Sequence, residues 1–425
     1  MIEIKPSKIT NSEVTVPGSK SYTHRILIAT ALSDGICTIE NSLKSEDTLL
    51  TLSALQHMGV RTNLEDDKLT VHGTKGFLSS CNYPVYLGNS GTSMRLLAAV
   101  ASLGNGKITL NGTERMHERP IQDLLDSMNQ MGIPAISVNN NGCPPIEVTG
   151  GRVKGGTVDL RCKISSQFLS GLLLIAPYTK ESLEINVTEG PVSKPYIDMT
   201  ADVMSRMGVE VIRDGYEHFK VRGNQEYKAG SYTVEPDCSN AGYFWAAAAV
   251  TGSSVKVKGI TKDSQQGDVR LTELFEQMGC KVFQDTDGLV VSGATEDGLP
   301  VLSAIETDMA DMPDMVPTLA VVAAFAKGTT VIKNVEHLKA KESNRLEAVA
   351  TELSKMGIEA ECTDTGLIIK GGTPHGAEID TYDDHRIAMC FSVAGLVVPN
   401  VFIKDEKCVE KSFPNYWEVF GELGK

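Results

Sequence analysis

Residues 87–104 read LGNSGTSMRLLAAVASLG, and this stretch combines a polar start with a wholly apolar continuation. The continuation has no charged residue, which is typical of a helix that is buried on all sides. The start offers small residues such as Ser90 and Thr92 as helix caps. It also carries Arg95, although a cation opposes the helix dipole at this end. The combination predicts a buried helix whose N-terminus meets a bound anion.

Five other stretches follow the same design along the chain. They read SYTHRILIATALSDG, SSQFLSGLLLIAPYT, SNAGYFWAAAAVTG, DMVPTLAVVAAFAKG and DHRIAMCFSVAGLV. Most of them lead into a short alternating stretch, such as CTIEN, KITLNG, VKVKG or TVIKN, that is typical of a β-strand. The chain is therefore expected to repeat a unit that contains one buried helix and several strands.

A second series of helices lies between the members of the first. Each is an amphipathic segment that ends in Met-Gly, where glycine is expected to terminate the helix. Their methionines lie 71 to 78 residues apart, and a sixth copy has leucine at this place: Met58, Met131, Met207, Met278, Met356 and Leu423. Six units of about 70 residues exceed one hydrophobic core, since single cores stop growing near about 250–300 residues. Two lobes of three units each are the expected arrangement.

Composition excludes several classes of function. The net charge of −14 argues against nucleic acid or an anionic membrane surface as a partner. No apolar run reaches the roughly 18 residues of a membrane span, and the N-terminus lacks a signal-peptide profile. Nine scattered cysteines without a C-x-x-C pair favour reduced thiols over disulfides or zinc. We therefore expect a cytoplasmic protein with no metal site.

Cations recur at the predicted helix starts of both series. They are Lys20, Arg25, Arg95, Arg119, Lys341, Arg345, Arg386 and Lys411. Capping explains Ser, Thr or Asp at such positions, but it does not explain a cation. The residues thus indicate a site for anionic small molecules. A P-loop, an EF-hand and a G-x-S-x-G elbow are all missing from the sequence.

Eight motifs give the chain a family resemblance that covers nearly its whole length. They are PGSKSYTHR, LGNSGTSMR, RMHERP, SSQF, MPDMVPT, KESNRL, DDHRIAM and KCVEKSFPNYW, in this order. Together they resemble the 5-enolpyruvylshikimate-3-phosphate synthase family. The resemblance implies a two-lobed, inside-out α/β barrel with buried helices and outer sheets. We expect a first lobe over 20–238 and a second lobe over 239–425 that residues 1–19 complete.

The resemblance also implies a reaction and a set of site residues. The enolpyruvyl group of phosphoenolpyruvate would pass to the 5-hydroxyl of shikimate 3-phosphate by addition and elimination, with release of phosphate and without a cofactor. Shikimate 3-phosphate would be bound by Lys20, Ser21, Arg25, Ser165, Ser166, Gln167, Ser193, Tyr196, Asp314 and Lys341. Phosphoenolpyruvate would be bound by Lys20, Gly91, Arg95, Arg119, Gln167, Arg345, Arg386 and Lys411. The inhibitor glyphosate would compete at this second site.

The resemblance implies that Asp314 is the general base. A carboxylate among many cations is expected to have a lowered pKa, which suits Asp314 as a base better than it suits Glu342 as an acid. Glu342 and Lys20 are the candidates for the general acid. Gly91 is expected to let backbone N–H groups approach the ligand, and Arg95 to pair with its phosphate. A monomer is expected.

Three positions depart from the family pattern: Leu96 stands where proline is frequent, His337 where asparagine is common, and Asn344 where aspartate is frequent. The first could alter inhibitor response and the second pH dependence. The rival enzyme, which transfers enolpyruvate to UDP-N-acetylglucosamine, has an early Lys-Asn pair and a loop cysteine. This chain has Lys20-Ser21 and no cysteine in NGTERMHE. A non-catalytic sensor of phosphate ligands is the alternative of another class, and the carboxylates Asp314 and Glu342 argue against it.

Overall fold

The computed structural model describes residues 1–65, 67–297 and 299–424. The chain divides into two compact units. One is continuous, Gly18–Val234, and is called the continuous unit below. The other combines Met1–Pro17 with Glu235–Lys425 and is called the split unit. The chain therefore passes from one unit to the other twice, once after Pro17 and once after Val234.

These boundaries differ from the expected divisions after residues 19 and 238. Asp237 caps the first helix of the split unit, where its side chain accepts a hydrogen bond from the backbone N–H of Asn240. Its own N–H donates to the carbonyl of Pro17. Pro17 and Asp237 are therefore hydrogen-bonded to each other within the split unit. The second boundary accordingly lies ahead of Asp237.

Twelve α-helices lie within the described residues. They are α1 (Lys20–Leu32), α2 (Glu46–His57), α3 (Gly91–Val100), α4 (Gln122–Gln130), α5 (Gln167–Ile175), α6 (Pro195–Arg206), α7 (Cys238–Thr251), α8 (Leu271–Gln277), α9 (Val316–Ala323), α10 (Arg345–Lys355), α11 (His385–Gly395) and α12 (Tyr416–Gly421). The six odd-numbered helices follow the apolar series, and the six even-numbered helices follow the Met-Gly series. Both helical series predicted from the sequence are confirmed.

The strands of the first half of the chain precede α7. They are β1 (Ile2–Ile4), β2 (Asn11–Val14), β3 (Ile36–Glu40), β4 (Arg61–Glu65), β5 (Lys68–His72), β6 (Leu78–Ser79), β7 (Val85–Tyr86), β8 (Gly104–Asn105), β9 (Lys107–Asn111), β10 (Ala135–Ser137), β11 (Ile146–Thr149), β12 (Gly156–Arg161), β13 (Leu183–Glu189), β14 (Ile212–Asp214), β15 (His218–Val221) and β16 (Ser231–Thr233).

The remaining strands follow α7. They are β17 (Ser254–Lys258), β18 (Lys281–Gln284), β19 (Gly288–Ser292), β20 (Thr295–Glu296), β21 (Leu299–Pro300), β22 (Leu302–Ser303), β23 (Glu306–Asp308), β24 (Ala326–Lys327), β25 (Thr329–Lys333), β26 (Glu359–Cys362), β27 (Leu367–Lys370), β28 (Glu378–Ile379) and β29 (Val401–Ile403).

The continuous unit builds three four-stranded sheets, with the orders β16-β3-β5-β4, β10-β11-β9-β7 and β12-β13-β15-β14. In each, a strand–helix–hairpin repeat supplies three antiparallel strands and one further strand joins in parallel. The strands bury alternate residues, as in the pattern eBiBe of β5, which is expected when one face of a sheet covers a core.

The split unit repeats this pattern with the orders β18-β19-β17-β2 and β23-β25-β27-β26, and closes with the smaller sheet β1-β29-β28. The helices α1, α3, α5, α7, α9 and α11 are buried along almost their whole length. Each unit therefore has its helices inside and its sheets outside, as predicted. Each unit also has its own hydrophobic core.

Glycine ends five helices of the Met-Gly series as expected. The residues Gly59, Gly132, Gly208, Gly279 and Gly357 all have φ between 75° and 110°. A side chain is disfavoured in this left-handed region, which is why glycine follows the methionine.

Among the described residues, no helix has both the length and the apolar character needed to cross a membrane. The same residues contain no group of three or more His, Cys, Asp or Glu side chains arranged for a metal ion. All nine cysteines are free thiols.

Candidate active site

Arg25 is the most deeply buried cation of the continuous unit, with 1% of its surface exposed. Its Nε donates to Thr200 Oγ1 at 2.7 Å, its Nη1 to the Ser21 carbonyl at 2.9 Å, and its Nη2 to the Tyr196 carbonyl at 3.0 Å. These partners are neutral, and no carboxylate among the described residues forms an ion pair with Arg25. Burial lowers the pKa of Arg25 to about 10. A buried guanidinium without a carboxylate is costly, and a bound anion would offset this cost.

Lys20 and Ser21 begin helix α1 next to this arginine. The Ser19 side chain caps the helix by accepting from the N–H of Tyr22. Lys20 Nζ lies 3.3 Å from Asp47 Oδ2, and Asp47 is itself buried. Asp47 therefore orients the lysine, which keeps 13% of its side chain exposed.

Gly91 begins helix α3 directly below the guanidinium of Arg119. A Cβ atom at Gly91 would lie 2.3 Å from Arg119 Nη2, which is closer than real contacts allow. Arg119 Nη1 also donates to the Asn89 carbonyl at 2.9 Å and to Asn89 Oδ1 at 3.1 Å. The sequence predicted that Gly91 lets a ligand approach the backbone closely. In the structure the side chain of Arg119 also lies close to Gly91.

Arg95 and Gln167 form a polar link between helices α3 and α5. Arg95 Nη1 donates to Gln167 Oε1 at 2.9 Å, and Gln167 Nε2 donates to Thr92 Oγ1 at 2.9 Å. The guanidinium of Arg95 also lies 5.5 Å from the ring centroid of Phe168, within cation–π range. Ser165 Oγ accepts from the N–H of Gln167. The arginine thus has protein partners in this structure, where the sequence suggested pairing with a phosphate.

Three serines and a tyrosine complete the predicted residues of the continuous unit. Ser165 and Ser166 are buried just before α5, and Ser193 is buried with a φ of 56°. Tyr196 lies in the first turn of α6, and its ring centroid is 6.0 Å from the guanidinium carbon of Arg25. All predicted residues of this unit therefore lie at the N-terminal ends of helices or in the turns that precede them.

The split unit holds the predicted base, Asp314, in the 3-10 turn before α9. Its Oδ2 accepts from Arg386 Nη2 at 2.7 Å, and its Oδ1 accepts from Arg345 Nη1 at 3.0 Å and lies 3.9 Å from Lys341 Nζ. Burial by itself would raise the pKa of Asp314, but these three cations outweigh it and hold the pKa well below the usual range. Asp314 is therefore ionised at neutral pH, as expected from the sequence.

Arg345 is a cation whose charge is balanced inside the protein. Its Nε donates to Asp384 Oδ2 at 2.8 Å and its Nη2 to Asp384 Oδ1 at 3.1 Å, so that the pair is bidentate. Its Nη2 also donates to Glu342 Oε2 at 2.8 Å. Burial opposes the charge on Arg345, but Asp384, Glu342 and Asp314 outweigh burial and raise its pKa.

Asp384 is a residue whose role sequence reasoning missed. It is fully buried, caps α11 by accepting from the N–H of Arg386, and accepts from Ser343 Oγ at 3.0 Å. It thereby joins the start of α11 to the start of α10. Its position as a helix cap was visible in the sequence, but its pairing with an arginine 39 positions away was not.

Arg386 and Lys411 are two further buried cations of the split unit, and Arg386 contacts Asp314. Arg386 is 4% exposed, and its Nη1 donates to the Tyr243 hydroxyl at 3.3 Å. Lys411 is 7% exposed and ends a 3-10 helix that precedes α12. Five predicted residues thus cluster at helix starts in this unit: Asp314, Lys341, Glu342, Arg345 and Arg386.

The departures from the family pattern have local explanations. Leu96 is fully buried within an unbroken α3, and Asn344 caps α10 by accepting from the N–H of Glu347. His337 is 6% exposed, and neither of its ring nitrogens has a hydrogen-bond partner among the described residues. Burial, with a contribution from Lys341, lowers the pKa of His337 to about 3. The imidazole is therefore neutral near pH 7.

Repeated α/β units with buried helices, and cations gathered at the helix starts of both units, define a class of enzyme that acts on small anionic substrates. A family profile described as EPSP synthase (3-phosphoshikimate 1-carboxyvinyltransferase) matches residues 4–420. The chain belongs to this family.

Relatives and solved structures agree with the profile. The chain is 42% identical to 3-phosphoshikimate 1-carboxyvinyltransferase of Sulfurovum sp. (strain NBC37-1), over 99% of each chain. It is 41% identical to the protein of the same name from Buchnera aphidicola subsp. Schizaphis graminum, over 100% of this chain and 99% of the other. A solved structure of EPSP synthase from Acinetobacter baumannii superimposes with a TM-score of 0.82 at 29% identity, covering 99% of this chain and 97% of that one.

The activity follows from the family. The enzyme transfers the enolpyruvyl group of phosphoenolpyruvate to shikimate 3-phosphate in the shikimate pathway, which leads to the aromatic amino acids.

Proposed function

We propose that Asp314 is the general base that accepts the proton of the 5-hydroxyl of shikimate 3-phosphate. The observation that carries this proposal is the contact of Asp314 with Arg386, Arg345 and Lys341 at 2.7, 3.0 and 3.9 Å. These cations keep the carboxylate ionised, which a base requires. An anionic substrate that draws the same cations toward itself would leave Asp314 more basic when the hydroxyl is in place.

The proposed reaction is an addition followed by an elimination. In the addition, the 5-oxygen forms a bond to C2 of phosphoenolpyruvate, its proton goes to Asp314, and C3 gains a proton from an acid. In the elimination, C3 loses a proton, the C2–O bond to phosphate breaks, and the enol ether double bond forms as phosphate leaves. Glu342 and Lys20 both remain candidates for the acid that serves C3.

We assign the predicted cations of both units to the anionic groups of the two substrates. Arg25, with Lys20, Ser21, Ser165, Ser166, Gln167, Ser193, Tyr196, Asp314 and Lys341, is proposed to bind shikimate 3-phosphate. Gly91, Arg95, Arg119, Arg345, Arg386 and Lys411, with Lys20 and Gln167, are proposed to bind phosphoenolpyruvate. The buried, carboxylate-free environment of Arg25 supports the first assignment most directly.

The experiment that tests the base is the variant Asp314→Asn. Loss of the proton acceptor should reduce kcat by about 100-fold or more, while the Kd of shikimate 3-phosphate stays within a few-fold. The variant Asp308→Asn, which changes an exposed carboxylate on β23, is the matched control and should keep wild-type kcat. A kcat near the wild-type value for Asp314→Asn would remove Asp314 from the mechanism.

We further propose that the enzyme is a cytoplasmic monomer that needs no cofactor. Nine free cysteines fit a reducing compartment. Light scattering coupled to gel filtration would report the mass, and a dimer mass would contradict the monomer.

A further inference from the structure

A cavity of about 1020 Å³ lies within the continuous unit, and none of the residues assigned to the two substrates lines it. This volume is large enough for a small organic molecule. All three repeats of the unit contribute to its wall, which includes segments 75–80, 103–105 and 151–153, together with Tyr178, Lys180 and Asn224.

The cavity is found at the C-terminal ends of the buried helices α1, α3 and α5. The backbone N–H of Lys75 donates to a carbonyl just after α1, that of Gly151 to one after α3, and that of Asn224 to one after α5, at 2.9, 3.0 and 2.9 Å. The residues assigned to the substrates lie instead at the N-terminal ends of these helices. Since α1 has 13 residues and a helix rises about 1.5 Å per residue, the two places are roughly 20 Å apart.

Three cations line the cavity, namely Lys75, Arg152 and Lys180, whereas no aspartate or glutamate of the described chain does. All three are exposed, and their side chains form no ion pair or hydrogen bond with other described residues. The adjacent carboxylate of Glu181 lies 3.9 Å from Lys154 instead. In a chain with a net charge of −14, the cavity is therefore a local surplus of positive charge.

The backbone at Lys75 favours a residue other than lysine. Lys75, Arg152 and Asn224 are equivalent in the three repeats, since each lies three residues after the end of β5, β11 or β15. Lys75 has a φ of 56° and Asn224 a φ of 54°, in the left-handed region that asparagine adopts more readily than lysine. The turn alone therefore does not account for a cation at Lys75.

Aromatic and apolar side chains lie beside these cations. Phe77 has 81% of its surface exposed, and its N–H donates to the Thr74 carbonyl at 3.0 Å. Gly76 packs against the ring of Tyr178, because a Cβ atom at Gly76 would lie 2.3 Å from Tyr178 Cδ1. The buried Leu103 is also part of the wall. The cavity thus combines apolar surface with uncompensated positive charge.

We propose that this cavity is a second ligand site, which binds a small ring compound that carries two or more carboxylate groups. The cations pair with the carboxylates, and the rings of Phe77 and Tyr178 contact the ring of the ligand. The inference is independent of the assignments made at the helix N-termini, because the two sets of residues do not overlap.

The test uses benzene-1,3,5-tricarboxylate as the probe, with saturating shikimate 3-phosphate and glyphosate present to occupy the substrate sites. Titration calorimetry at low ionic strength measures its Kd. The triple variant Lys75→Asn/Arg152→Gln/Lys180→Gln should raise this Kd by about tenfold or more, since each exposed charge pair contributes roughly 1.5- to fivefold. Its kcat and its KM for both substrates should stay at the wild-type values.

The matched control removes the same charge from exposed strands of the same unit. The triple variant Arg61→Gln/Lys68→Gln/Lys107→Gln should keep the Kd of the probe within about twofold, because these side chains do not line the cavity. Two further probes separate charge from shape. Benzene-1,3,5-trimethanol lacks the charge and propane-1,2,3-tricarboxylate lacks the ring, so each should bind about tenfold more weakly.

An unchanged Kd in the cavity variant, or equally tight binding of the uncharged probe, would overturn the inference. Stabilisation of the helix C-termini is the competing explanation for the cations. It predicts that the cavity variant loses unfolding free energy in urea yet binds benzene-1,3,5-tricarboxylate as tightly as the wild type. If the triple variant does not fold, Phe77→Ser at an exposed side chain decides, and its Kd should rise about fivefold.

Discussion

Two buried arginines are placed in opposite electrostatic surroundings. Arg25 of the continuous unit donates its hydrogen bonds to hydroxyl and carbonyl oxygens, and burial lowers its pKa to about 10. Arg345 of the split unit lies among Asp384, Glu342 and Asp314, which raise its pKa against the effect of burial. The first cation has its charge available for a ligand, while the second is largely neutralised within the protein. Equal depth of burial therefore does not imply equal function.

The sharpest way to break this comparison is to replace each arginine with methionine, which keeps much of the side-chain volume. Arg345→Met leaves the fully buried Asp384 without its bidentate cation, so the free energy of unfolding should fall by about 3–5 kcal/mol. Arg25→Met removes a buried charge that no carboxylate neutralises and should destabilise the fold much less. Urea unfolding of both variants measures the difference. A larger loss of unfolding free energy for Arg25→Met than for Arg345→Met would contradict this comparison.

Arg25→Met should have a large effect on substrate binding, although its effect on stability is small. With its guanidinium removed, the Kd of shikimate 3-phosphate should rise by about 100-fold, because a charge-assisted contact to phosphate is lost in a buried site. Titration calorimetry with the folded variant would measure it. Arg213→Met, which removes an exposed cation that pairs with Asp198, is the control and should leave this Kd unchanged.

The next effect concerns the space above helix α3. Gly91→Ala places a methyl group at the position that lies 2.3 Å from Arg119 Nη2, so the guanidinium must move. We expect KM for phosphoenolpyruvate to rise by about tenfold and inhibition by glyphosate to weaken by a larger factor. These changes correspond to a loss of about 1–3 kcal/mol of binding free energy, which is typical of overpacking. Gly421→Ala, where a Cβ meets no atom within 4 Å, is the control at a glycine outside the site and should leave both quantities unchanged. Unchanged KM and inhibition in Gly91→Ala would place Gly91 outside the phosphoenolpyruvate site.

The smallest effect comes from His337, a group that burial and Lys341 keep neutral. Its pKa is about 3 in the folded protein and near 6.5 when unfolded, so the unfolded chain binds a proton that the folded one does not. The wild type should therefore lose stability as pH falls below about 6.5, while His337→Asn should lose about 1 kcal/mol less by pH 5.5. Thermal unfolding at pH 7.5 and 5.5 measures this. Parallel loss in both proteins would mean that His337 titrates normally.

The sequence predicted the repeats, the helix series and the positions of the cations because these depend on local patterns. Periodic apolar residues, Met-Gly endings and cations at helix starts are all visible within 15 residues. It could not predict which cations are neutralised, since Arg345 meets Asp384 only through tertiary packing of α10 against α11. The second unit boundary differs from the predicted one because Asp237, the cap of α7, donates its N–H to the carbonyl of the distant residue Pro17.

The pairing of β16 and β2, the strands next to the unit boundaries, has a consequence for synthesis on the ribosome. Strand β16 pairs with β3 inside the continuous unit, so every strand of that unit's three sheets has been made once residue 234 is made. Strand β2 instead pairs with β17, and β1 with β29, near residues 254 and 401. At about 5–20 residues per second, β2 waits roughly 12–50 s for its partner and β1 roughly 20–80 s. The nascent chain thus completes its middle first, and its earliest segment joins the fold last.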